Sequence, residues 1–112
     1  MPTALEIYNE AEKLMEEGKD EEAIAKLHEL LAQDESYSLA HLALAKLYGK
    51  VGKPEEAVRH GERACELEPD DSINYTFLSE TYRSAFQATQ DPKYIHLAEE
   101  SMANAQTKQM GR

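Results

Sequence analysis

Gly18-Lys19-Asp20-Glu21-Glu22-Ala23-Ile24 returns 34 residues later as Gly52-Lys53-Pro54-Glu55-Glu56-Ala57-Val58. A fixed period of this kind marks a fold assembled from stacked copies of one small unit. Each copy contains a glycine able to take the left-handed conformation that closes a helix. Acidic residues follow in the first turn of the next helix, where the macrodipole favours them. An alanine then stands where two helices can approach closely. The unit is therefore a helix-turn-helix.

Along the chain, Ala4, Ile7, Ala11 and Leu14 fall at the 3- and 4-residue steps of one helix face, and that helix should end at Gly18. A second helix runs to about Gln33 with Ala23, Ile24, Leu27, Leu30 and Leu31 inward, and Asp34 to Tyr37 link it to the next pair. The second pair has one helix near 38–50 and another from Pro54 to about Leu67, with proline at a first helical position that tolerates it. Pro69 ends this helix, and Asp70-Asp71-Ser72 offers caps for the third pair. That pair lacks the glycine turn, and Tyr82 to Ala98 is seven residues longer than Tyr48 to Ala57. Seven residues are close to two helical turns, so both helices can lengthen in register. The spacing predicts one reaching about Thr89 and the next starting at Asp91-Pro92.

The spacing W-x2-L-G-x2-Y, then A-x3-F, then P, is matched in the second unit by His41, Leu44, Ala45, Tyr48, Ala57, Gly61 and Pro69. The first unit offers Ile7, Glu10, Ala11, Leu14, Ala23 and Leu27, with Glu35 where proline is usual. The third begins with Tyr75, Leu78, Ser79 and Tyr82, and resumes at Ala98, Met102 and Ala105. Over nearly its whole length the chain resembles the tetratricopeptide repeat family. The resemblance implies an all-α fold: a right-handed superhelical solenoid of three antiparallel helix-turn-helix repeats at about 4–37, 38–71 and 72–108, in one domain spanning 1–112, with lengthened helices in the third. Gly61 occupies a slot usually filled by a large residue, so Tyr82 or Phe86 should fill the gap or a small cavity remain.

In this family the first helices of the repeats line a concave groove that usually binds peptides or proteins. The resemblance places there Leu5, Tyr8 and Glu12; Leu39, Leu42, Ala43, Lys46 and Lys50; and Ile73, Phe77, Glu80 and Arg83. Leu5, Tyr8, Leu39, Leu42, Ile73 and Phe77 make one end apolar, a composition that suits a partner-binding patch. Lys46, Lys50 and Arg83 gather positive charge at the other end and are the candidates for a ligand carboxylate. The expected partner is a protein or peptide with an apolar segment and an acidic group. Some relatives hold chaperone tails in a two-carboxylate clamp, but the corresponding Tyr8, Glu12, Ala43, Ile73 and Phe77 are neither basic nor amides. The alternative is self-association, with a homodimer covering the groove mutually.

The 22 acidic residues outnumber the 12 basic ones to give a net charge of -10, a field that disfavours nucleic acid and anionic membranes as partners. No stretch approaches the roughly 20 apolar residues of a membrane span, and Glu6 and Glu10 stand where a signal peptide would be basic and then apolar. A cytoplasmic location is the expectation. Cys65 is the only cysteine, which leaves no internal disulfide and reads as a buried thiol. His28, His41, His60 and His96 make no same-helix i, i+4 pair and no HExxH. His41 should be a packed or partly exposed structural residue and the other three solvated. With no phosphate loop or nucleophile elbow either, no enzyme activity, cofactor or metal is expected.

Overall fold

A computed structural model describes residues 1–110, leaving Gly111 and Arg112 of the expected 1–112 span outside the described residues. The first helix starts at a reciprocal cap: Glu6 N donates to Thr3 Oγ1 at 3.1 Å, and Thr3 N donates to Glu6 Oε1 at 2.8 Å. Two amides that no helical carbonyl can reach are thereby satisfied.

From there the described residues form α1 (Ala4–Glu16), α2 (Asp20–Gln33), α3 (Ser38–Lys50), α4 (Pro54–Leu67), α5 (Ser72–Thr89) and α6 (Lys93–Met110), with no strands among them. The repeated glycine turn has one geometry in both copies. Gly18 has φ 77°, and Lys19 N donates to Leu14 O at 2.9 Å; Gly52 has φ 81°, and Lys53 N donates to Tyr48 O at 2.8 Å. Those bonds take up carbonyls at the helix end that would otherwise lack partners. The third turn reaches the left-handed region without glycine, through Gln90 at φ 62°. Asp91 Oδ1 then accepts from Lys93 N at 3.1 Å to open α6, so the two 18-residue helices α5 and α6 are the lengthened pair expected from the spacing.

α1 packs on α2, α3 on α4, and α5 on α6, while α4 joins the second pair to the third through α5. The result is a slab with principal extents of 41 × 35 × 21 Å. Ala11, Ala23, Ala45, Ala57 and Ala98 are all buried, in keeping with close helix approach at small residues. The apolar interior falls into two clusters. One is built on Ile7, Leu27, Leu30, Leu44 and Leu47 of α1 to α3. The other is built on Val58, Leu78, Tyr82, Tyr94 and Ala98 of α4 to α6.

Gly61 lies buried near their junction, and neither Tyr82 nor Phe86 covers it. A β-carbon placed there would meet Leu78 Cδ1 at 3.1 Å, then Ala45 Cβ and Thr81 Cγ2 at 3.9 Å. Leu78 reaches across from α5 because it stands one turn before Tyr82. Tyr82 instead stacks on Tyr94, with ring centroids 6.1 Å apart, and donates its hydroxyl to Glu62 Oε2 at 2.5 Å. Burial first, and then that carboxylate, push the phenol's pKa up.

Candidate functional site

The outer faces of α1, α3 and α5 enclose a groove of about 470 Å³ lined by Tyr8, Glu12, Met15, Glu16, Leu39, Leu42, Ala43, Lys46 and Phe77. Seven of the twelve residues anticipated from the sequence therefore converge. Tyr8 is oriented by Tyr37 of the α2–α3 link, with ring centroids 5.7 Å apart. Burial, and secondarily Glu12, raise its pKa. Phe77 and Lys46 form a partition. Beyond them a hollow of about 310 Å³ is lined by Lys50 and Glu80 and floored by small residues, among them Ala45, Gly49, Ala57 and Ala85.

Leu5 and Ile73 stand outside both spaces but belong to a regular row. Leu5, Leu39 and Ile73 are each the second residue of α1, α3 and α5, and they are 58%, 50% and 74% exposed. The 34-residue period thus presents one aliphatic side chain to solvent from each repeat.

The three cations expected at one end of the groove are not together. Lys50 Nζ is 3.3 Å from Asp20 Oδ2 of α2, so its charge is partnered. Arg83 faces a different hollow between α5 and α6, beside Phe86, Ile95 and Glu99. Lys50 and Arg83 line different hollows because Arg83 lies on another face of α5 from Phe77. Lys46 alone lines the groove as a cation, with no carboxylate within 4.0 Å among the described residues.

A second constellation was not legible from same-helix spacing. His28 from α2, His41 and Tyr48 from α3, and His60 from α4 meet on the opposite side of the second hairpin. His60 stacks on Tyr48 and on His41, with centroids 5.7 and 5.2 Å away, and meets the His28 ring edge-on at 5.8 Å. The protons can be assigned from acceptor chemistry. His41 Nε2 lies 2.8 Å from Glu35 O, a carbonyl that can only accept, so Nε2 carries the hydrogen. In the neutral ring Nδ1 must then accept, and His60 Nδ1 donates to it at 3.0 Å.

His60 is half-buried rather than solvated, and burial, followed by repulsion from the protonated forms of His41 and His28 and from Arg59, lowers its pKa to about 4. His28 keeps an exposed edge but bonds Tyr48 Oη through Nε2 at 2.7 Å, and its pKa is lowered by burial and then by His41. His96 remains exposed. Glu35 anchors the edge of the cluster: Arg63 Nε and Nη2 each reach its carboxylate at 2.7 Å, and this fork holds its pKa down. The residue in the usual proline slot is thus an ion-pair tether from the α2–α3 link to α4. Knowing that α2, α3 and α4 are neighbours would have predicted the encounter; the histidine spacings alone did not.

Among the described residues no group of three or more His, Cys, Asp or Glu side chains is arranged to hold a metal ion. No described helix is long and apolar enough to cross a membrane. Cys65 is buried, and that burial raises its thiol pKa to about 11.

No family model matches the chain, and no curated protein matches it in sequence. Among solved structures, the crystal structure of MamA, a TPR-like protein, superposes with a TM-score of 0.83 at 17% identity. The superposition covers 97% of this chain and 60% of that one, so the chain spans about three fifths of the MamA chain's length. Six helices in three successive hairpins, matched in this way, make the architecture a TPR-like helical-repeat fold.

Proposed function

We propose that the chain is a non-catalytic protein-interaction module that receives a peptide or protein segment on the face formed by α1, α3 and α5. The observation that carries this is the convergence of Tyr8, Leu39, Leu42 and Phe77 on one groove, where Leu39 remains half exposed. Covering such side chains removes apolar area from water and supplies the driving force for association. The fold supports this use by analogy only, since one fold serves many functions. The histidine cluster is closed on itself by hydrogen bonds and stacking, which supports a structural role for it rather than a catalytic one.

The test is capture of a partner by the immobilised chain and by its Leu39→Glu variant, with helicity checked by circular dichroism. A partner held by the first and lost by the folded variant supports the groove. Equal capture by both excludes it. Sedimentation at several concentrations addresses the second possible occupant: concentration-dependent association abolished by Leu39→Glu would give this face to another copy of the chain.

A further inference from the structure

We propose that the occupant of this face is a cationic, apolar-anchored segment of another protein, with its aliphatic side chains along Leu5, Leu39 and Ile73 and its lysines or arginines against Asp34 and Glu68. This rests on the face acting as a binding site and adds the sign of charge that its partner must carry. Leu39 stands between two spaces. On one side is the groove with Tyr8 and Phe77; on the other is a hollow of about 460 Å³ where Tyr37 and Leu39 meet the carboxylates of Asp34 and Glu68.

The links before α3 and α5 bring several acids to the foot of the aliphatic row, but only some remain available. Glu35 is held by Arg63. Asp71 caps α5 by accepting from Ile73 N at 2.9 Å, and Asp70 lies 3.7 Å from Lys108. Asp34 uses Oδ1 for Ser36 N and Oγ, leaving Oδ2. Glu68 has only a 3.5 Å contact from Asn74 Nδ2.

On the groove side of Leu39 the charged lining is Glu12 and Glu16 against Lys46. Across both spaces four carboxylates therefore face one cation, because Lys50 is paired with Asp20 and Arg83 lies elsewhere. Helix N-termini favour anions; those of α1 and α5 already carry caps from Thr3 and Asp71, and that of α3 beside Leu39, which has no side-chain cap, carries only about half a positive charge against the four carboxylates. An approaching lysine or arginine gains from this field and an acidic flank is repelled, which reverses the charge expected of the partner from the sequence.

The test uses two labelled peptides that share one leucine pattern, one flanked by lysines and one by glutamates, titrated against the full chain by fluorescence anisotropy. The lysine peptide should bind about tenfold tighter at low ionic strength, and added salt should erode the preference. Asp34→Asn with Glu68→Gln should weaken it about fivefold with unchanged helicity, whereas Glu21→Gln with Glu99→Gln, outside these spaces, should not. Tighter binding of the glutamate peptide, or equal weakening by both pairs of substitutions, overturns the cationic partner and leaves the groove itself standing. If neither peptide binds, the groove fails with it.

Discussion

Leu78 of α5 occupies the space over Gly61 of α4, its Cδ1 standing 3.1 Å from where a β-carbon on that glycine would lie. The slot that usually takes a large side chain from within the repeat is filled here from the next helix. Gly61→Phe should therefore overpack the junction and destabilise the chain by about 1 to 3 kcal/mol in urea unfolding. Combining it with Leu78→Ala should cost less than the two single changes added together. Strict additivity would show that the two side chains do not compete for one space.

Gln90 takes a left-handed conformation that costs a side-chain-bearing residue about 1 to 2 kcal/mol. Its Nε2 recovers part of that through contacts with Phe86 O at 3.4 Å and Gln87 O at 3.2 Å. Gln90→Gly should raise stability by up to about 1 kcal/mol, seen as a higher thermal midpoint. A lower midpoint would mean that the amide contacts outweigh the backbone cost.

Ser79 is fully buried on α5, and its hydroxyl finds no hydrogen-bond partner among the described residues. A buried donor left unmatched costs about 1 to 3 kcal/mol. Ser79→Ala removes the hydroxyl and should stabilise the fold by about 1 kcal/mol. A loss of stability in chemical denaturation would show that the hydroxyl is satisfied in solution.

His60 titrates near 4 when folded, below the ordinary histidine value of 6.5. The unfolded chain thus binds its proton first as the medium is acidified. The contribution of this group is complete above about pH 6.5, falls as pH drops toward 4, and levels off below that. With no tryptophan in the sequence, the transition is best followed by circular dichroism. Urea midpoints of His60→Phe should fall less steeply than those of the unaltered chain over this window. Parallel pH profiles would remove His60 as a source of acid sensitivity.

Period, turn glycines and proline positions made the six helices legible, because a closing glycine or a first-turn proline has few other uses. The lengthened third pair was legible for the same reason, since Asp91-Pro92 announces a helix start even where glycine is missing. The Thr3 and Glu6 cap stands in the sequence at the spacing of a capping box. Most of the groove followed from assigning the A helices, but Arg83 did not. Its place depends on how far α5 has rotated ten residues beyond its first exposed position, and a repeat register does not fix that rotation. Leu78 over Gly61 and the meeting of His28, His41 and His60 depend on contacts between different helices, which no pattern along a single helix encodes.

The two apolar clusters meet between α3 and α4, within the second repeat. Across that line α3 and α4 approach closely at small buried residues, Ala45, Ala57 and Gly61 among them, and are tied by the His41–His60 hydrogen bond, the Tyr48–His60 stack and, from the link before α3, the Glu35–Arg63 ion pair. The sparsest packing between consecutive helices lies between α2 and α3, so the α1–α2 hairpin is the natural unit of partial opening, and amide exchange should set it apart. Tyr8 belongs to that hairpin and Leu42 and Phe77 to the remainder, yet all three line one groove. A segment gripping that groove would couple the two units, and part of its binding energy would appear as cooperativity of the whole chain.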